Sequence, residues 1–128
     1  MKEYMLLIRN LQDSKESFTE AMHKEFVSKC EVYIDKLKSA NKLLAAQPMV
    51  REGKMISGIS GKWKENNYTE SKEVIVGYYH VLANDLEDAV AIAKENPEFA
   101  YTTTARIEVR PIKMKEEITG FVYPKSKE

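Results

Sequence analysis

The sequence has one cysteine, one tryptophan and two histidines, and its twenty lysines and arginines are cancelled by twenty aspartates and glutamates. A lone cysteine cannot close an internal disulfide, which fits a reducing compartment. Zero net charge removes the bulk attraction behind non-specific nucleic-acid binding. Aromatic and basic residues do not interleave as they do on single-strand-binding sheets. Two histidines and a cysteine without short His–carboxylate spacing give no metal motif. Gly53, Gly58 and Gly61 lack a phosphate-loop pattern and a following helix, so no cofactor is expected. Long hydrophobic runs are missing too. The apolar stretch at 4–8 stops at Arg9, short of a signal-peptide core and far short of the ~20 residues that span a bilayer. The expectation is a cytoplasmic protein with no metal, no cofactor, no nucleic acid and no membrane contact.

What remains is a globular composition: 128 residues, 43% apolar and 31% charged. That is one domain's worth of chain, and folding buries roughly two-thirds of its extended surface. Residues 1–64 hold twelve basic and eight acidic groups, and residues 65–128 the reverse.

The apolar residues at 4–9 predict a strand. Ser17-Phe18-Thr19-Glu20 has capping-box spacing, and Met22, Phe26, Cys30, Tyr33, Leu37 and Ala40 follow at helical steps. Glu20–Lys24 and Glu25–Lys29 are favourable i,i+4 pairs, and Asn41 suits a left-handed stop. Residues 43–50 and 54–60 read as two strands of a hairpin turned at Arg51-Glu52-Gly53, with Pro48 at a strand end. Residues 61–73 read as polar and irregular. A long strand at 74–83 is apolar on both faces. A second helix capped by Asn84 buries Leu86, Ala89, Val90 and Ala93 and ends at Pro97, and a half-buried strand stops at Pro111.

Strand, helix, hairpin, long strand, helix, strand describes an α+β sandwich with two helices on one face of an antiparallel-dominated sheet. Two helices cover only that face. Strands apolar on both sides therefore predict a homodimer, sheet against sheet. The domain is expected at 1–112. In the extension at 113–128, Ile118, Phe121, Val122 and Tyr123 are too apolar for a free tail and are expected to dock on their own or the partner subunit.

Functional candidates are few. His23 and Cys30 lie seven residues apart on one helix, about 10 Å along its axis, and so form no dyad. His80 falls in the long strand, where alternation groups it with Val76, Tyr78 and Leu82. An imidazole there needs a partner or must stay neutral. Glu70-Ser71-Lys72-Glu73 is a polar cluster on the loop entering that strand. Lys72 and nearby backbone amides suit a polar or anionic ligand, with Arg9, Arg106 and Arg110 adding positive charge. The candidate ligand-binding residues are thus Glu70, Ser71, Lys72, Tyr78 and His80, around a pocket between the sheet and the 65–73 loop. The alternative is a non-enzymatic regulatory or protein-interaction module.

The sequence resembles the YCII-related family, in its branch named for an Asp-Gly-Pro-Phe motif. The resemblance rests on Tyr4-Met5-Leu6-Leu7-Ile8, Glu70-Ser71-Lys72-Glu73, Gly77-Tyr78-Tyr79, Asp85-Leu86-Glu87-Asp88-Ala89, Asn96-Pro97 and Ile107-Glu108-Val109-Arg110-Pro111-Ile112. It implies a ferredoxin-like sandwich pairing into a dimeric α/β barrel, in a family largely without assigned functions. Two positions depart from it. Glu65-Asn66-Asn67-Tyr68 stands where the branch has its Asp-Gly-Pro-Phe turn. Cys30 falls at the first-helix position where relatives carry a histidine proposed for acid–base work, and a thiol with a reference pKa near ~8.5 replaces it poorly.

Overall fold

The computed structural model describes residues 1–124, and of Glu70 the backbone alone. The elements in order are β1 (Lys2–Leu11), α1 (Glu20–Ser39), β2 (Leu43–Pro48), β3 (Lys54–Ile59), β4 (Lys62–Asn67), β5 (Glu73–Ala83), α2 (Leu86–Lys94), α3 (Glu98–Tyr101) and β6 (Arg106–Pro111), with a 3-10 turn at Tyr68–Glu70. The main sheet has the order β2-β5-β1-β6, and every neighbouring pair is antiparallel. With β3 and β4 set aside, this is the βαββαβ order of a ferredoxin-like α+β fold.

The core lies between the sheet and the helices. Tyr4, Leu6 and Ile8 of β1, Tyr79, Val81 and Ala83 of β5, and Tyr33, Leu37, Ala89, Ile92 and Ala93 of the helices are buried together. Tyr33 and Tyr79 meet edge to face with ring centroids 5.3 Å apart, and the Tyr33 hydroxyl donates to the Ile92 carbonyl at 2.7 Å. That phenol ties α1 to α2 through a satisfied buried group.

The helix caps sit slightly away from their expected places. Thr19 rather than Ser17 starts α1, its hydroxyl accepting from the Met22 amide at 3.1 Å. Asp85 rather than Asn84 starts α2: its carboxylate accepts from the Asp88 amide at 2.8 Å, while Asp88 accepts from the Asn84 amide at 2.9 Å. The two aspartates thus satisfy one amide inside the helix and one just before its cap, an arrangement related to the capping box but shifted by one residue. Asn41 does adopt the left-handed conformation, with φ 57°. Leu86, expected in the buried stripe of α2, stands exposed in its first turn.

The hairpin is not where the sequence placed it. β2 pairs with β5, and β3 pairs with β4, so the turn at residues 51–53 joins no two paired strands. The tight turn is at Ser60-Gly61, where the glycine holds φ +84°. Residues 62–67 are therefore a strand rather than irregular chain. They carry no apolar alternation because nothing covers them: every β4 residue but Asn66 is exposed. β2 instead finds a sheet edge to extend. Gly77 lets it approach, since a Cβ there would stand 3.1 Å from the Gln47 carbonyl oxygen.

A bulge between Ile8 and Arg9 sets opposite them one more β5 residue than simple alternation allows. Above it Tyr78, His80 and Leu82 face away from the helices, opposite Leu7, Met5 and Glu3. Below it the phase changes, and Val76 joins Val74 in the core rather than sharing the His80 face. The outer face thus shows Met5, Leu7, Tyr78 and Leu82, edged by ion pairs Arg9–Glu108 at 3.1 Å and Arg110–Glu108 at 3.0 Å. No helix of the structure is long and apolar enough to cross a membrane.

Candidate functional site

The loop entering β5 is held by its backbone. The Ser71 amide donates to the Tyr68 carbonyl at 3.4 Å, the Ser71 hydroxyl to the Glu73 carbonyl at 2.9 Å, and the Gln12 amide to the Lys72 carbonyl at 3.1 Å. These bonds fasten the loop across the end of β1 and leave the Lys72 ammonium outside them. Beside it opens a cleft of about 510 Å³ lined by Leu11, Gln12, Asp13, Glu16, Thr69, Ser71 and Lys72. A second cleft of about 680 Å³ lies on the other side of Thr69, walled by Arg51, Lys54, Asn67 and Tyr68. Two open clefts that share Thr69 thus flank this loop.

The five residues singled out from the sequence do not come together. Ser71 and Lys72 line the first cleft. Glu70 closes the 3-10 turn, and its side chain lies outside what the structure describes. Tyr78 and His80 line neither cleft. They stand six and eight residues further along β5, about 20 and 26 Å at the rise of an extended strand. Strand continuity thus separates what the linear motif joined.

His80 has a partner of its own. Its Nε2 lies 2.8 Å from Glu3 Oε1, with both side chains mostly buried. The three arginines expected to add free positive charge are matched instead. Arg106 makes a two-pronged bond to Glu73 at 2.7 and 2.8 Å, and Arg9 and Arg110 share Glu108. The adjacent guanidinium groups hold the Glu73 and Glu108 carboxyls below the usual carboxylate range.

The first cleft is lined by Asp13 and Glu16 as well as Lys72, and none of the three makes an ion pair among the described residues. The linear sequence hid this, because the acids belong to the link after β1 and meet Lys72 only once β1 and β5 pair.

A buried polar cluster was also missed. Asn10, fully buried, donates to Glu98 at 2.8 Å and to Thr102 at 3.0 Å, and accepts from Thr104 at 2.7 Å. Lys15 reaches the same Glu98 oxygen at 2.7 Å, its ammonium also lying 4.8 Å from the centre of the Phe26 ring. Glu98 opens α3 beyond Pro97, where the sequence pattern had ended the helix. A signal existed: continuing the alternation of Tyr4, Leu6 and Ile8 puts Asn10 on the buried face, where an amide needs partners.

Cys30 borders this cluster. Burial first, then the Glu98 charge, pushes its thiol up to about 11, against a smaller opposing pull from Lys15. The thiolate of Cys30 is therefore scarce at neutral pH. Tyr33 and Tyr79 are likewise pushed upward by burial. Among the described residues no three His, Cys, Asp or Glu side chains converge to hold a metal ion.

A ferredoxin-like α+β domain with a polar cleft at the mouth of its long strand is the class these features define. The chain belongs to the YCII-related family, whose model matches residues 2–113. A comparison with curated proteins finds no match.

Proposed function

We propose that this protein binds a small polar molecule in the cleft beside the 69–72 loop and works as a homodimer in the cytoplasm. The observation that carries the reading is that Lys72, Asp13 and Glu16, all without ion-pair partners among the described residues, line one cleft of about 510 Å³. That volume suits a small ligand. Two carboxylates facing one ammonium favour a molecule carrying a positive group together with a negative one, rather than a plain anion. Thr69 and Ser71 supply hydroxyl oxygens between the charges. Ser71 already gives its proton to the Glu73 carbonyl, which leaves it an acceptor and argues for binding over attack.

The homodimer follows from a sheet clothed by helices on one face only, with Met5, Leu7, Tyr78 and Leu82 on the other. Sheet-on-sheet pairing would enclose the Glu3–His80 pair and match the dimeric barrel of the family. Within that family we place the chain with the Asp-Gly-Pro-Phe branch, on the resemblance of its sequence motifs. Here Glu65, Asn66 and Asn67 form the end of the β4 strand, and Tyr68 packs against the core where the motif's aromatic would stand.

A thermal-shift screen of the full chain against small zwitterions, amines and carboxylates tests the reading. Ligands that stabilise the wild type and lose their effect in Lys72→Ala support it, by linkage. No shift from any of the three classes contradicts it. The alternative, an interaction module, has one observation in its favour: the exposed β3–β4 ribbon.

A further inference from the structure

We propose that the two clefts beside the 3-10 turn work as one site for a short peptide of three or four residues. The peptide lies across Thr69, with its ammonium at Asp13 and Glu16 and its carboxylate at Arg51 and Lys54. This rests on the reading of the first cleft as a ligand site and names the class of its ligand. Thr69 is a wall of both clefts, and their charges are opposite. The first holds Asp13 and Glu16 against Lys72, and the second holds Arg51 and Lys54 against Glu52. None of these six makes an ion pair among the described residues. Lys54 has a neutral partner, its ammonium donating to Asn67 Oδ1 at 3.2 Å. The Glu16 amide donates to the Asp13 carbonyl at 3.0 Å, a turn that sets residues three apart on one side.

The fold fixes how far apart the two ends lie. Lys54 pairs with Asn67 across the β3–β4 ribbon. At the other end, the Gln12 amide donates to the Lys72 carbonyl at 3.1 Å, which sets Asp13 beside Lys72. Between Asn67 and Lys72 the chain passes through the 3-10 turn at Tyr68–Glu70 and then extends. At about 2 Å per residue in the turn and about 3.3 Å beyond it, the ends are at most about 13 Å apart. A single amino acid cannot bridge that gap. An extended tripeptide spans about 10 Å and a tetrapeptide about 13 Å, so each terminus reaches groups of opposite charge. The groups between them suit amides. The Thr69 hydroxyl makes no hydrogen bond among the described residues, and Ser71, its proton given to the Glu73 carbonyl, keeps lone pairs for an N–H. The Lys72 ammonium is left to a peptide carbonyl. Singly charged ligands fit less well: a plain anion meets two carboxylates in the first cleft, and a plain amine meets two cations in the second.

The full chain, labelled with nitrogen-15, is titrated with glycine, diglycine, triglycine, tetraglycine and triglycine amide, and binding is read from the backbone amide shifts. The dissociation constant should fall about tenfold from diglycine to triglycine, and the amide, which lacks the carboxylate, should lose that gain. Triglycine should move the Gly53 and Lys54 amides together with those of Asp13 and Ser71. Diglycine should move only the latter pair. Arg51 and Lys54 are both exposed, so Arg51→Gln with Lys54→Gln should keep the folded spectrum and remove the gain of triglycine over diglycine. A flat series overturns the bridge and leaves the first cleft as a site for small zwitterions. So does a gain that survives in triglycine amide or in the double variant. No shift with any of the five overturns both readings.

Discussion

His80 and Glu3 sit diagonally across the β1–β5 pair, Nε2 to Oε1 at 2.8 Å, with Met5 opposite the histidine and Leu82 opposite the glutamate. Diagonal neighbours on one sheet face are within reach of long side chains. Their exposures of 14% and 11% place a polar contact inside an otherwise apolar patch, which is where a hydrogen bond matters most. His80→Phe keeps the ring area and removes the bond. It should lower stability by about 1–2 kcal/mol, read as a lower urea midpoint at unchanged slope. An unaltered midpoint would mean that the pair is idle.

The Glu98 cluster should be the more sensitive of the two. Glu98→Ala strands the Lys15 ammonium and removes an acceptor from buried Asn10. Breaking a largely buried pair from one side costs about 2–4 kcal/mol. Thermal unfolding of this variant should come well below that of Lys36→Ala, whose partner Glu95 is mostly solvated. Equal losses would contradict the assignment of Glu98 as a clamp on β1.

Acid should act through the sheet edge. Glu73 and Glu108 have carboxyls held below their ordinary range, first by hydrogen bonds from Arg106 and from Arg110 respectively. A depressed carboxyl adds stability that is present above its unfolded value and is lost as pH falls through the folded one. Arg106→Gln should therefore lessen the loss of stability between about pH 5 and the folded value, while lowering stability at neutral pH. Strong salt should shrink the difference, since these groups face solvent. A variant whose acid profile overlays the wild type would refute the coupling.

Cys30 should react slowly. With its thiol pushed up from 9.0 to about 11, the thiolate fraction at pH 8 falls about a hundredfold. Ellman's reagent should modify the native chain far more slowly than the chain in urea. Comparable rates would reopen Cys30 as a nucleophile.

Much of the fold was legible because its signals are local. The two-faced apolar runs at 4–8 and 74–83, the alternation in residues 105–109 and the helical stripe ending at Asn41 all lead to the observed elements. β4 was not legible: Lys62, Lys64, Glu65 and Asn67 lie on a ribbon with no buried side, so burial never wrote a period into them. The bulge at Ile8 was equally silent, and it moved Val76 from the His80 face to the core. At the site, the cluster of Ser71 and Lys72 was visible as a motif, but its acidic counterpart was not. Asp13 and Glu16 are some sixty residues away in sequence and join Lys72 only through β1–β5 pairing. Grouping Tyr78 and His80 with Lys72 ignored the length of an extended strand.

That separation gives the most direct test of the binding cleft. Thermal shifts of the ligands that stabilise the wild type are compared in Lys72→Ala and in His80→Ala. The account predicts that the shift disappears in Lys72→Ala and persists in His80→Ala, because only Lys72 lines the cleft. A shift that survives in Lys72→Ala and vanishes in His80→Ala would place the ligand on the outer sheet face and contradict it.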